Sequence, residues 1–306
     1  VAYDQSRLVA RNNTCEGNER VGISLSDAIP LYGSAQGEVE GNTCRNNGVG
    51  IAAYYQSRLV ARNNTCEGNK ESGIVLFGSA QGEVEGNTCR NNGYHGIAAE
   101  LQSRLVARNN TCEGNKQVGI VLFGSAQGEV EGNTCRNNRL HGVAASGKTR
   151  LVARNNTSEG NIRSGFFLYG SAQGEVEGNA CRNNGYHGIA AEQQSRLVAR
   201  NNTCEGNKQV GIVLFGSAQG EVEGNTCRNN GLHGIEAQDQ SRLVARSNTC
   251  EGNWAGIALF DRTTGTVENN VCRYNLAGIY ARRTVRVKVR NNQCYSNQHG
   301  NLLLNQ

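Results

Sequence analysis

Short stretches of alternating apolar and polar residues follow one another along the chain, each closed by Gly or Asn. In the segment 119–141, Gly-Ile-Val-Leu at 119–122, Glu-Val-Glu at 129–131 and Thr-Cys-Arg at 134–136 have the period of two expected of strands. No stretch is long enough, or has the period, to predict a helix. The pattern repeats. Cysteines at 15, 44, 66, 89, 112, 135, 181, 204, 227, 250, 272 and 294 recur every 22 or 23 residues, with a first gap of 29 and Ser158 in place of one member. Asn stands two residues before this position in all thirteen units, from Asn13 and Asn42 to Asn270 and Asn292, and three after it, from Asn18 and Asn47 to Asn275 and Asn297. Three short strands per ~23 residues make one turn of a parallel solenoid.

In a solenoid, aligned positions stack about 4.8 Å apart, so each column becomes a physical ladder. The two Asn columns are expected to be amide ladders in turns. Four residues before the Cys position, the column reads Arg11, Glu40, Arg62, Glu85, Arg108, Glu131, Arg154, Glu177, Arg200, Glu223, Arg246, Glu268, Arg290. One residue after it, Glu16, Arg45, Glu67, Arg90 and their successors alternate in the opposite phase. Like charges at that spacing would repel by almost ~1 kcal/mol per step even in water, and alternation replaces repulsion with attraction. Leu59, Leu105, Leu151 and Leu197 share a column with Gly82, Gly128, Gly174 and Gly220, so large residues alternate with small. The underlying unit is therefore two coils, about 46 residues. The expectation is all-β: a single-stranded parallel β-helix of about 13 coils in one domain, 1–306, making a rod roughly 60 Å long. An insertion near 26–31, with the only Pro, and divergent C-terminal coils over 254–306, with Arg282, Arg283, Arg286, Lys288 and Arg290, read as end-protecting features.

Composition adds exclusions. Among 306 residues there are 40 Gly and 40 Asn, one Pro and no Met. No apolar run is long enough to span a membrane. The lack of an initiating Met and of a thick cap suggests a fragment or an open-ended polymer, with end-to-end self-association as one expectation. The net charge of +5 is not read as a nucleic-acid groove. The nearest basic stripe, Arg58, Arg104, Arg150, Arg196 and Arg242, is interrupted by Gln or Thr, with Glu two residues away in the neighbouring coils. The Cys column is expected to hold buried thiols: stacked parallel Cβ vectors suit a disulfide poorly, and no CxxC or CxxH spacing supports zinc. Free thiols lean toward a reducing, cytoplasmic compartment.

The pattern G-I-x-L … V-x-x-N-x-C-x-x-N resembles the right-handed parallel β-helix repeats of the pectate-lyase-like superfamily, above all repeat modules of carbohydrate-binding and sugar-hydrolase proteins and of some F-box proteins. The resemblance covers essentially the whole chain and implies a right-handed coil. It implies no single activity, because this scaffold carries lyases, hydrolases, epimerases, tailspikes, adhesins and binding modules. Its enzymes use Asp or Glu clusters, often with calcium, or a Lys or Arg base. Here Asp occurs only at 4, 27, 239 and 261, and twelve of the 22 Glu belong to the charge columns. No catalytic residue, cofactor or metal ion is expected.

The candidate ligand-binding residues are aromatic. Phe77, Phe123, Tyr169 and Phe215 recur every second coil, with Phe260 in register one residue early. If Ile74 and Leu76 point inward, Phe77 points outward, and the rings recur about every 9.6 Å, near the length of a disaccharide. The competing reading is that the rings simply pack over turn residues. His95, His141, His187 and His233 share the 46-residue period and are expected to be solvated turn residues, or else rim contacts of the same surface. The resulting expectation is a non-enzymatic structural or interaction solenoid that presents a regular surface, to an extended polysaccharide or a protein. A carbohydrate-active lyase, hydrolase or epimerase and a self-assembling fibre segment are the alternatives.

Overall fold

The computed structural model describes residues 1–3, 6–26, 35–282 and 284–305. Asp4, the insertion from Asp27 through Pro30 and Leu31, and Arg283 lie outside the described residues. The chain falls into two compact units, Val1–Val152 and Ala153–Gln306. No helix occurs among the described residues.

Both units are parallel solenoids of three sheets, in which each strand pairs with its equivalent one coil away. In the first unit, one sheet contains Val49–Tyr54, Ile74–Phe77, Ile97–Ala99 and Ile120–Leu122. It is called here the aromatic sheet. A second, the charged sheet, contains Arg58–Arg62, Gln81–Glu85, Arg104–Arg108 and Gln127–Glu131. The third, the cysteine sheet, contains Thr65–Glu67, Thr88–Arg90, Thr111–Glu113 and Thr134–Arg136. In the second unit the same sheets contain Ile189–Glu192, Ile212–Phe215, His233–Ala237, Ala255–Leu259 and Ala277–Arg282; Arg196–Arg200, Gln219–Glu223, Arg242–Arg246 and Thr264–Glu268; and Thr203–Glu205, Thr226–Arg228, Thr249–Glu251 and Val271–Arg273.

The Asn ladders form as expected. The backbone N–H and the side-chain amide of Asn64 both donate to Asn87 Oδ1 at 2.9 Å. The second amide proton of Asn64 goes back to the Val39 carbonyl at 2.8 Å. Asn202 repeats this in the second unit, with Asn225 Oδ1 at 2.9 Å and the Val176 carbonyl at 2.8 Å. The other ladder runs through Asn69, Asn92 and Asn115 and through Asn184, Asn207 and Asn230. Each buried amide thus makes two donations and accepts two, which removes a cost of about 1–3 kcal/mol per unmet group.

Two geometric facts explain the two-coil period. The residue before the first ladder Asn is left-handed, and it alternates between Asn63 (φ 54°) and Gly86 (φ 64°). The Oδ1 of Asn63 sits 2.5 Å from where a Gly86 Cβ would be, so the Asn of one coil occupies the space left by the Gly of the next. At Asn269, followed by Asn291, the alternation lapses, and the backbone bond Asn269 N–H to Arg290 O lengthens to 3.4 Å from the 3.0 Å of Asn63 to Glu85. The core is balanced within a coil as well. Leu76 Cδ1 lies 2.5 Å from a would-be Gly82 Cβ, filling the space that the side chain lacks. The next coil carries Ala99 and Leu105 in those positions, both buried.

All twelve cysteines are free thiols, and all but Cys15 and Cys294 are buried. Contact with the Cys66 thiol, then burial, pushes Cys44 well above the ordinary thiol range. Ser158 replaces a thiol without leaving its hydroxyl unmet: Oγ donates to Gly165 O at 3.0 Å and accepts from Asn161 Nδ2 at 3.1 Å. The charge columns pair across coils, Arg62 with Glu85 at 3.8 Å and Arg90 with Glu67 at 2.9 Å in the first unit, Arg246 with Glu268 at 2.7 Å and Arg228 with Glu205 at 2.9 Å in the second. Within the interrupted stripe, Arg58 pairs with Glu83 at 3.1 Å and Arg196 with Glu221 at 3.7 Å. Apart from Arg246–Glu268, whose carboxylate is buried, these pairs are exposed, each worth about 0.2–1 kcal/mol, and they serve register more than stability.

Candidate functional site

The aromatic sheet has an outward face unlike the other two. In Ile74–Phe77, Ile74 and Leu76 are buried inside the coil while Val75 and Phe77 turn outward and are half-buried. Phe77 lies in register with Tyr54, and Glu192 with Phe215. Phe215, Gln238 and Phe260 follow in one column, since Leu214, Ala237 and Leu259 align directly before them. Phe123 and Phe260 are also half-buried and Tyr169 is 39% exposed, so all five candidate aromatics keep some surface. The outward floor between them is Ala98 and Val121 in the first unit and Ala190, Val213 and Ala258 in the second, each at most 1% exposed. Phe167 and Phe215 pack on Ala190, Val210 and Val213; Phe260 and Tyr280 pack on Ala255, Ala258 and Ala277. The packing reading and the exposed-row reading therefore each describe part of every ring.

The histidines depart from expectation. His95, His141 and His233 are 7% exposed rather than solvated, and His187 is half-buried. Their column faces outward, but a ring of the next coil covers it: His95 meets Phe123 edge-on with centroids 5.5 Å apart, His187 meets Phe215 at 6.4 Å and His233 meets Phe260 at 5.8 Å. The Nδ1 atoms of His95 and His187 accept the backbone N–H of Val118 at 3.3 Å and Val210 at 3.4 Å. Burial lowers the pKa of His95, His187 and His233 to about 4, so these rings are neutral at pH 7.

Sequence reading missed several members of this face. Tyr54, Phe167 and Tyr280 lie on its outward columns, and Trp254 packs against Tyr280 and His233 with centroids 5.6 and 5.3 Å away. Aligning coils on the Gly after the histidine column, rather than on Cys, places Trp254 correctly. Glu236 is the one acid in a column otherwise made of Ala, Val, Phe and Tyr over 190–280 and 52–121. It is 8% exposed, and its Oε2 stands 3.7 Å from His233 Nε2. Burial, then the nearby Asp239 charge, raises its pKa to about 7. Burial also raises Glu100 and Glu192 on the same face. Among the described residues no three His, Cys, Asp or Glu side chains converge as a metal ion would require.

A family model described as the right handed beta helix region matches residues 1–79, 26–158 and 141–294. Comparison with curated proteins gives no match. Among solved structures, the periplasmic alginate epimerase AlgG superposes with a TM-score of 0.62 at 12% identity, over 98% of this chain and 77% of that one. The Azotobacter vinelandii mannuronan C-5 epimerase AlgE4 A-module gives 0.56 at 15% identity, over 98% and 91%. A chain of the Vag8–C1 inhibitor complex gives 0.51 at 13% identity, over 99% and 95%. At these identities the likeness is one of fold.

Proposed function

The chain belongs to the right-handed β-helix family, and from that premise we propose that it is a non-enzymatic interaction solenoid whose aromatic sheet lies against an extended polysaccharide. The observation that carries this reading is the outward aromatic column, half-exposed and repeated every second coil over an apolar floor. Its step of about 9.6 Å suits a polymer that stacks one sugar of each disaccharide on a ring. Two chains sharing the fold, an alginate epimerase and a mannuronan C-5 epimerase, are named for sugar polymers, which supports the class of ligand. Uniformity supports the absence of chemistry, since a reaction centre is a local exception to a repeat.

The enzymatic alternative rests on the one such exception, the Glu236–His233 pair beside Trp254. A carboxyl titrating near 7 beside a neutral imidazole is the equipment of acid–base catalysis.

A glycan array with the wild-type chain and with Phe123→Ala and Phe215→Ala tests the proposal. Binding of extended glycans, weakened about tenfold or more in each variant, is the expected result. Unchanged binding in both variants defeats it. Turnover of any bound polymer by the wild type, lost in Glu236→Gln, moves the assignment to the alternative.

A further inference from the structure

The charged sheet balances its charges where the repeat is regular and departs from that balance near its C-terminal end. Arg58–Arg62 and Gln81–Glu85 set two arginines against two glutamates. Thr264–Glu268 and Arg286–Arg290 set three cations against one acid. Two residues make the difference. In the middle outward column, where Val60, Glu83 and Val106 succeed one another, the C-terminal coils carry Val244, Thr266 and Lys288. Glu83 holds Arg58 at 3.1 Å, and Glu221 holds Arg196 at 3.7 Å. The equivalent partner of Arg242 is Thr266, which has no charge to offer. Lys288 then adds a cation where the regular Arg-type coils hold valine. Arg242, Arg286 and Lys288 are exposed, and none is in an ion pair among the described residues.

The one acid does little to offset them. Glu268 is buried, with Arg246 on one side at 2.7 Å and Arg290 on the other at 2.5 Å, so two guanidiniums already cover one carboxylate. Register fixes the free cations on a grid. Arg242, Thr264 and Arg286 share a column, which sets the two arginines about 9.6 Å apart, and Lys288 stands about 6.6 Å from Arg286 along the strand. Beside this grid an open hollow is lined by Arg262, Thr264, Thr284, Val285 and Arg286. Its polar lining is two guanidiniums and two hydroxyls, groups that donate to a phosphate oxygen. Asp239 and Asp261 line a neighbouring hollow with Arg262, and neither forms an ion pair with it among the described residues.

We propose that this end of the charged sheet docks on a lipid bilayer rich in anionic headgroups, with one headgroup phosphate in the hollow and others over Arg242 and Lys288. The proposal is independent of the aromatic face, which belongs to another sheet. Charge complementarity selects an anionic partner. The spread of the cations in two directions selects a surface: bilayer headgroups meet the whole grid at once, whereas a phosphodiester strand follows a line. Among the described residues of these strands the outward positions are Arg, Lys, Val, Thr and Glu268, with no ring on which a nucleic-acid base could stack. The same positions hold no large apolar group to insert between lipids, so attachment is electrostatic and reversed by salt.

Sedimentation of the full chain with vesicles tests the proposal. One set of vesicles is equimolar phosphatidylcholine and phosphatidylserine, the other phosphatidylcholine alone. The variant is Arg242→Gln, Arg286→Gln, Lys288→Gln; the control, Lys70→Gln, Lys116→Gln, Lys208→Gln, removes the same charge from exposed turns elsewhere. Both should melt as the wild type does, since the six side chains are exposed and outside the ion pairs of the ladders. Wild type and control should sediment with the mixed vesicles, less so as salt rises, and not with the neutral ones. At about fivefold per cation, the variant should bind roughly a hundredfold more weakly. Equal loss in variant and control overturns the site, because overall charge then suffices. Equal sedimentation with both vesicle types, or with neither, overturns the partner. Tighter binding of duplex DNA than of mixed vesicles at one salt concentration overturns the ligand class. Binding of free glycerol phosphate as tight as that of the mixed vesicles would make this a site for a soluble phosphate ester and overturn the docking.

Discussion

The charged sheet and the aromatic sheet are built on the same coils, each with an Asn ladder at one border, yet they treat solvent in opposite ways. On the charged sheet opposite charges pair across coils: Arg108 meets Glu131 at 3.8 Å one coil away, and Arg58 meets Glu83 at 3.1 Å. On the aromatic sheet the outward columns make a second apolar layer, with buried neutral histidines under half-covered rings. A repeat can thus keep one face inert and the other available by changing only which residues point out.

The largest effect expected from testing that contrast is with pH. For His95, His187 and His233 the folded pKa lies below the ordinary value near 6.5, so the unfolded chain binds more protons and stability falls as pH drops from about 6.5 to about 4. Each ring contributes roughly 1.4 kcal/mol per pH unit across that window. Glu236 acts with the opposite sign: its folded pKa is raised, so stability rises as pH falls from about 7 toward its ordinary range. Urea denaturation across pH 7 to 4 should therefore show a steep net loss, steeper still in Glu236→Gln. Imidazole NMR signals titrating near 6.5 would contradict the burial.

Next in size is Phe123→Ala. It uncovers His95 and should cost about 2 kcal/mol, below the range for a fully buried ring because Phe123 keeps some exposure. A rise in the His95 pKa toward its ordinary value should accompany the loss, which a simple cavity elsewhere would not produce. Smallest is Arg108→Glu on the charged sheet, which stacks Glu85, residue 108 and Glu131 as three like charges. A loss of about 1 kcal/mol that shrinks with added salt is expected, with polysaccharide binding unchanged. Impaired binding in this variant would break the contrast between the faces.

The ladders, the strand positions and the alternation of large and small were legible in the sequence because each is a single column, and a column is what a period reveals. The histidines were misjudged because their cover comes from a diagonal neighbour, Phe123 over His95, and no column alignment contains that contact. Glu236 escaped notice because a lone acid among 22 glutamates means nothing until the structure places it on an apolar face.

The left-handed turn has a consequence for how such a gene can change length. Because Asn63-type and Gly86-type turns alternate through the regular region, excising a single coil from it sets Asn against Asn and, in the same stroke, arginine against arginine. Excising two restores every neighbour. Slippage or unequal exchange between these near-identical repeats is therefore filtered by parity, and surviving length variants of the regular array should differ by even numbers of coils.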